Sequence, residues 1–277
     1  MNIDLHTHSN ASDGVLSPAE LLNASIAAGI ELFSITDHDT LDGYFQVEER
    51  SRELRDTLTL VPGVELSSHW QGVGVHIVGL GFDPRHPAIN EAIAIQGKAR
   101  RERGELIAQK LQKRGIDIDL ARVRELAGRS EVGRPHFAQH LVEIGAAADE
   151  SQAFKKWLGK SKVGDVKNTW APIEQVVSWI NDAGGVAVLA HPLKYQLTNS
   201  KLRCLLEDFQ ELGGRAIEVI SGSQTRAQTN YIASLTDVFG FYASAGSDFH
   251  RPEQSWAKLG QVEPLPRTLN PVWELFQ

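Results

Sequence analysis

Ile3-Asp4-Leu5-His6-Thr7-His8, then Ser17-Pro18-Ala19-Glu20-Leu21-Leu22 running on to Ile26 and Gly29, then Leu32-Phe33-Ser34-Ile35-Thr36-Asp37-His38: the fold is decided in this N-terminal stretch. The middle piece carries an S-x-x-E capping box, a proline suited to the first helical turn and a glycine stop, so it reads as a helix. The flanking apolar runs are too short for helices and read as strands. Strand, helix, strand in that order is the unit of a parallel α/β sheet. The alternation recurs, with apolar runs at Leu58–Leu66, Val73–Leu80, Val186–Ala190, Ala216–Ile220 and Phe241–Ala245 and helical patterns near 42–55, 172–183, 200–212 and 224–239. Gly184-Gly185 and Gly213-Gly214 stand where helices should stop before strands, as C-caps and not as phosphate loops. Seven strands joined by helices predict an α/β barrel or an open doubly wound sheet.

One stretch breaks the pattern. Residues 98–167 show helical periodicity and turns but no strand, and carry 16 Lys+Arg against 10 Asp+Glu. The other residues hold 12 against 25, so a net charge of −7 divides into +6 and −13. The expected organisation is an acidic α/β domain, 1–97 and 168–277, interrupted by a basic helical insertion, 98–167. The overall charge excludes a basic coat for nucleic acid. With 42% hydrophobic and 23% charged residues among 277, the chain has enough apolar material for a core. Its one cysteine, Cys204, excludes an intrachain disulfide framework and any zinc site built on cysteine pairs; within Leu202–Leu206 it reads as a small buried hydrophobe. The N-terminus lacks the basic and apolar regions of a secretory signal, and no apolar run approaches the ~20 residues of a membrane span. A soluble, cytoplasmic protein without membrane association is expected.

The ten histidines are the informative residues. His6 and His8 follow the first strand, with Asp13 beyond; Thr36-Asp37-His38-Asp39 follows the second; Glu65 and His76 lie on the third and fourth. His191-Pro192 follows Val186–Ala190, and Ser247-Asp248-Phe249-His250 follows the last strand. In α/β barrels, active sites are built at the C-terminal ends of strands. Residues two apart on an extended segment point the same way, so His6 and His8, and likewise Asp248 and His250, can serve one ion. Imidazole and carboxylate donors without thiolate suit zinc, manganese or iron, and not a structural zinc knot. Six histidines (6, 8, 38, 76, 191, 250) with Asp13, Glu65 and Asp248 exceed what one ion can coordinate, so two or three ions are expected, with Glu65 the best bridging candidate. Asp37 and Asp39 read equally as turn residues.

The ordered series Asp4-Leu5-His6-Thr7-His8-Ser9, Thr36-Asp37-His38, Glu65, His76, Ala190-His191-Pro192 and Ser247-Asp248-Phe249-His250 resembles the polymerase and histidinol phosphatase (PHP) superfamily, across essentially the whole chain. The resemblance implies a distorted (β/α)7 TIM-like barrel with a trinuclear metal site. It assigns His6, His8, Glu65 and Asp248 to one ion, Glu65, His76 and His191 to a second, and Asp13, His38 and His250 to a third. It implies Asp13, His38, Glu65, His191 and His250 as catalytic residues and Mn2+ as the ion, with Zn2+ or Fe2+ as alternatives. The Ser12-Asp13-Gly14 turn and Gly133-Arg134-Pro135-His136-Phe137 in a helical insertion resemble the branch of stand-alone phosphoesterases. The activity this implies is release of the 3′-phosphate of 3′,5′-nucleoside bisphosphates such as 3′-phosphoadenosine 5′-phosphate, by attack of metal-bound hydroxide. The alternatives are a 5′→3′ exoribonuclease on short oligonucleotides, a histidinol-phosphate phosphatase, and a non-catalytic metal-stabilised module serving a polymerase. The partner is then a small nucleotide with two phosphates, or short RNA, bound by a monomer.

The insertion reads as a substrate cap. Arg134 and His136 stand at a helix N-terminus, where anions are favoured, and Arg103 with Arg134 forms a candidate clamp for the remote phosphate. His136 is expected to contact phosphate. Arg100 and Arg101 read as solvated helix charges, His140 as packing, and His69 and His86 as surface-loop residues.

Overall fold

The reciprocal capping box is present at the first helix, α1 (Pro18–Ala27): Ser17 Oγ accepts the Glu20 N–H at 3.3 Å and the Ser17 N–H donates to Glu20 at 2.8 Å. It joins β1 (Ile3–Asp4) to β2 (Leu32–Phe33), which pair in parallel. The structure, a computed structural model, describes residues 1–166, 170–222 and 224–276; Lys167, the expected end of the insertion, lies outside the described residues. Helix α2 (Asp42–Glu53) leads to β3 (Thr59–Leu60), parallel to β2.

Here the expected parallel order changes. The single strand expected over Leu58–Leu66 is two, β3 and β4 (Gly63–Trp70), separated by Val61-Pro62. Proline has no N–H to give a ladder, which ends the first strand. β4 then turns through Gln71-Gly72, at φ 45° and 75°, into β5 (Val73–Leu80). Two residues leave no room for a crossover helix, so β4 and β5 pair antiparallel. His69 accordingly lies on β4 and not in a loop.

Beyond α3 (Pro87–Gln112), α4 (Leu120–Ala127), α5 (Arg134–Glu143) and α6 (Glu150–Ala153), which runs into a π-helical turn at Phe154–Leu158, the alternation resumes. It comprises α7 (Ile173–Asp182), β6 (Val186–Leu189), α8 (Asn199–Glu211), β7 (Ala216–Ser221), α9 (Arg226–Phe239) and β8 (Tyr242–Gly246). Gly184 and Gly213 sit just past α7 and α8 at φ 77° and 93°, which a side chain would disfavour. Cys204 is exposed, correcting the expectation of burial: α8 turns Leu202, Leu205, Leu206 and Phe209 inward.

Among the described residues the ladders form two sheets, β1-β2-β3 and β4-β5-β6-β7-β8, in place of one closed seven-stranded ring. Single bridges link them, Thr7 with Phe249 and His38 with Glu65, and Leu5 N–H donates to Ala245 O at 3.2 Å. Beyond the short β1–β3 the pairing continues as separate backbone bonds, Ser34 N–H to Asp4 O at 3.0 Å and Thr36 N–H to Thr7 O at 2.8 Å, and side chains add to it: the Thr7 N–H donates to Thr36 Oγ1 at 3.2 Å, and Ser34 Oγ donates to Val61 O at 3.0 Å.

The chain divides into two compact units, Met1–Ile93 with Ala171–Gln277, and Ala94–Trp170. The first has a sheet-centred core including Leu66, Ile77, Leu189 and Ile217, and a second cluster of Leu21, Leu22, Phe33, Ile35 and Phe249. The second, helical in its described residues, packs around Ile107, Leu111, Val123, Phe137 and Leu141. No helix is long and apolar enough to cross a membrane among the described residues.

Gly246, the last residue of β8, lies against His6, just beyond β1. A Cβ there would lie 2.3 Å from His6 Cβ and 2.7 Å from its backbone nitrogen. Gly246→Ala is therefore expected to overpack the junction and cost about 1–3 kcal/mol, read as a lower urea midpoint at unchanged m-value. An unchanged midpoint would show that the two strands are free to separate.

Candidate metal centre

The first unit brings nine donors into one connected cluster, seven from segments that follow β1, β2, β6 and β8 and two from within β4 and β5: His6, His8, Asp13, His38, Glu65, His76, His191, Asp248 and His250. Fully buried Glu65, on β4, is its centre. Its Oε2 lies 3.2 Å from His6 Nε2, 3.2 Å from His8 Nε2 and 3.1 Å from His38 Nδ1. Its Oε1 lies 2.7 Å from His76 Nδ1 and 2.9 Å from His191 Nε2. Asp248 Oδ1 stands 3.6 Å from His6 Nε2 and 3.3 Å from His8 Nε2, and Asp13 Oδ1 stands 3.3 Å from His250 Nε2.

Among the described residues, four groups of donor atoms lie close enough to hold an ion: His8, Asp13, His38 and His250; His6, His8 and Asp248; His6, Glu65 and His191; and His38, Glu65 and His76. Asp13, His38 and His250 thus come together, joined by His8. His6, His8 and Asp248 also meet, whereas His76 and His191 reach Glu65 in separate groups.

Local structure explains the aim of these side chains. Asp39, His191 and Asp248 have φ of 56°, 28° and 54°, a left-handed backbone that turns the chain sharply off each strand. Asp37 accepts the Ser9 N–H at 2.7 Å, Ser9 Oγ at 2.6 Å and Ser12 Oγ at 2.6 Å, bracing the turn between His8 and Asp13. Asp39 accepts the Ser67 N–H at 2.7 Å and Ser67 Oγ at 2.9 Å. Both therefore brace turns. Gly14 closes the first turn: a Cβ would sit 2.2 Å from the His8 carbonyl oxygen.

The donor chemistry fits divalent cations. Glu65 Oε2 and Asp13 Oδ1 are buried and accept no hydrogen bond, although imidazole nitrogens crowd them. Lone pairs converging without hydrogen-bond geometry are what a ligand sphere looks like. The electrostatics agree. Burial opposes ionisation of Glu65, but the His38, His76 and His6 imidazoles outweigh it and hold the carboxyl well below its usual range. Burial likewise opposes charge on Asp13 and Asp248; His250 and His38 keep the first ionised, and Lys194 and His6 the second. Burial disfavours a charged His6, yet Glu218, Glu65 and Asp248 raise it well above the ordinary imidazole value; His8, opposed by burial and favoured by Asp248 and Glu65, is raised to about 10. His191 is lowered by burial. The buried carboxylates thus favour positive charge beside them.

Three residues near the cluster are absent from the sequence reading. Lys194 forms an ion pair with Asp248, buried Tyr195 donates to Ala190 O at 2.7 Å, and Glu218 contacts His6 and His191. A charged residue inside the apolar run Ala216–Ile220 was the available signal for Glu218.

The insertion residues are described within their own unit. Buried Arg103 donates from Nε to Val166 O at 3.3 Å, with its guanidinium 5.4 Å from the Trp170 ring centroid. Arg100 lies 5.2 Å from the same ring, so it is not simply solvated. Arg101 pairs with Glu131. Arg134 donates to Leu158 O at 3.4 Å, and His136 caps α5, its Nδ1 accepting the Gly133 N–H at 3.0 Å. His140 is buried, and its Nε2 accepts the Asp119 N–H at 3.2 Å.

A mixed α/β scaffold gathering such a cluster at its strand ends defines a class, the metal-dependent hydrolases. Residues 4–126 match the PHP domain. Over 273 residues the chain is 41% identical to a 5′-3′ exoribonuclease of Haemophilus influenzae, covering 99% of this chain and 98% of the relative. Over 274 residues it is 39% identical to a 3′,5′-nucleoside bisphosphate phosphatase of Chromobacterium violaceum, covering 98% and 95%. Among solved structures, an amidohydrolase from Chromobacterium violaceum with bound sulfate superposes at TM-score 0.90 with 39% identity, over 99% of this chain and 96% of that one. A metal-dependent phosphoesterase, so described provisionally, from Bifidobacterium adolescentis superposes at 0.77 with 25% identity, over 97% and 92%. The chain belongs to the PHP family of phosphoesterases.

The neighbouring carboxylates raise the His6 and His8 imidazoles against the effect of burial, and ligation needs a deprotonated ring nitrogen, so binding of a divalent ion is expected to displace protons. Mn2+ titration in weakly buffered solution at pH 7 is expected to release protons, with apparent affinity rising as pH rises. Uptake without proton release would contradict this charge assignment.

Proposed function

We propose that the chain hydrolyses the 3′-phosphate of 3′,5′-nucleoside bisphosphates, yielding a nucleoside 5′-monophosphate and phosphate, with two to three divalent ions, Mn2+ foremost. The observation that carries this is the nine-donor cluster around Glu65. The 39% identity to a bisphosphate phosphatase supports the substrate. His6, His8, Asp13, His38, Glu65, His76, His191, Asp248 and His250 would hold the ions. Divalent ions would supply Lewis acidity, making water a better nucleophile near neutral pH and drawing charge from the phosphoryl oxygens. The chain's part is to orient. Asp13, His38, Glu65, His191 and His250 form the reacting side of the site, where water adds to phosphorus, the P–O3′ bond breaks and O3′ takes up a proton.

The remote 5′-phosphate is assigned to Arg103, Arg134 and His136. Arg134 and His136 occupy the first turn of α5, whose backbone N–H groups and dipole favour an anion. The insertion's surplus of cations suits a second phosphate and gives a singly phosphorylated cationic substrate such as histidinol phosphate little to bind.

A second reading, a 5′→3′ exoribonuclease on short RNA, is favoured by the 41% identity to an enzyme of that name. If such an enzyme releases 5′-mononucleotides it breaks the same P–O3′ bond, with a chain in place of a free phosphoryl oxygen. Protein reconstituted with Mn2+ and given 3′-phosphoadenosine 5′-phosphate or a 5′-phosphorylated RNA pentamer distinguishes the two. Faster phosphate release from the bisphosphate is expected; mononucleotide release from RNA with negligible bisphosphate turnover would reverse the order. Arg134→Ala is expected to raise KM for the bisphosphate about tenfold or more, with a smaller change in kcat. A fall in kcat alone would remove Arg134 from the phosphate site.

A further inference from the structure

Glu218 stands on β7 at 3% exposure, between buried Ile217 and Val219. A carboxylate in an apolar strand is costly unless its oxygens are satisfied. Both are. Glu218 Oε1 lies 2.8 Å from His6 Nδ1, and Oε2 accepts the His191 backbone N–H at 2.6 Å.

Each contact has a consequence for the cluster. With Glu218 Oε1 facing Nδ1, that nitrogen is engaged as the hydrogen-bond partner of a carboxylate, and Nε2 is the ring nitrogen left facing the other donors. That Nε2 stands 3.1 Å from His8 Nε2 and 3.2 Å from Glu65 Oε2, at the middle of the cluster. The second contact grips His191 where its backbone is at φ 28°, ψ 58°, a conformation that a side-chain-bearing residue adopts only when its surroundings enforce it. In that conformation His191 Nε2 lies 2.9 Å from Glu65 Oε1.

We propose that Glu218 is a positioning residue that fixes the nitrogen His6 offers and locks the bent His191 backbone, so that one carboxylate on β7 prepares two metal donors carried by β1 and the end of β6. This rests on the cluster's holding divalent ions. Glu218 belongs to none of the donor groups itself. Such outer carboxylates orient a ligand imidazole and raise its basicity, and their loss typically weakens metal binding roughly 10–100-fold.

Glu218→Gln tests this, because glutamine keeps the volume but offers one acceptor where two donors must be met. Two readouts are taken on protein labelled with 15N-histidine: Zn2+ half-saturation by competition with a chromophoric chelator, and the His6 Nδ1–H resonance. Wild type is expected to show a slowly exchanging, downfield His6 Nδ1–H both metal-free and zinc-loaded. Glu218→Gln should lose that resonance and need roughly 10–100-fold more free Zn2+ for half-saturation, while metal-free melting by circular dichroism shifts by no more than a few degrees. Equal zinc affinity in variant and wild type, or a loss of affinity matched by unfolding of the metal-free variant, would overturn the proposal. If the variant does not fold, the wild-type spectrum decides: a protonated, protected Nδ1 supports the assignment and an unprotonated one refutes it. Wild type that takes up no divalent ion would instead defeat the metal-centre reading, an outcome separate from the state of the His6–Glu218 hydrogen bond.

Discussion

The structure is organised around one buried charge, the Glu65 carboxylate. It is fully enclosed, and five imidazoles stand within 3.2 Å of its two oxygens. An isolated carboxylate in such a place would cost several kcal/mol and would neutralise itself. It stays ionised only because positive charge is gathered around it, and that positive charge comes from segments far apart in the chain. The antiparallel hairpin β4–β5 is part of the solution. Glu65 pairs with Val78, and His76 with Ser67, so Glu65 and His76 lie diagonally across the same ladder and meet at 2.7 Å. A parallel crossover needs a dozen or more intervening residues, usually a helix, and could not bring them together within so short a segment. The break in the parallel order therefore follows from where the charge must sit.

The second constraint is charge division. An average of −7 would seem to repel a phosphorylated substrate, yet the acids and bases are segregated along the chain. Four carboxylates converge on the centre: buried Glu65, Asp248 and Glu218, and half-buried Asp13. Two divalent ions would balance four ionised carboxylates; a third would leave the centre positive, which is the condition for drawing in a phosphoryl group. Lys194, paired with Asp248, already supplies one cation beside the cluster. Adding Glu218 to the count makes the number of ions more consequential than the three acids apparent in the sequence suggested.

What the sequence disclosed and what it hid have separate physical causes. The Ser17–Glu20 box, the glycine stops and the histidines that follow apolar runs are local signals, written in adjacent residues; the structure has the box and left-handed glycines past the helices, and it gathers the histidines into the donor groups. The antiparallel hairpin was legible in principle, since only Gln71-Gly72 separates two apolar runs, but the surrounding βαβ rhythm masked it. Pro62 likewise marked the division of β3 from β4. Glu218 was hidden for a different reason. Its partners His6 and His191 are 212 and 27 residues away in sequence, and nothing in Ala216–Ile220 indicates which strand ends it will face. Cys204 shows the converse error, where apolar neighbours suggested burial while the helical period turned that position outward.

Family membership leaves the reaction open for a chemical reason. Phosphate release from a 3′-phosphate and mononucleotide release from the 5′ end of RNA can both proceed by water adding to phosphorus and O3′ departing. A metal cluster stabilises the same charge in either case. Relatives of 41% and 39% identity can therefore carry different activity names on one scaffold. Discrimination must arise where the substrates differ, at the third substituent on phosphorus, which is a bare oxygen in one and the rest of an RNA chain in the other. A bare oxygen carries additional negative charge and gains most from a centre with surplus positive charge. An RNA chain needs open space and a succession of cations along its backbone. The choice thus depends on how that third substituent is met, not on the donor set itself.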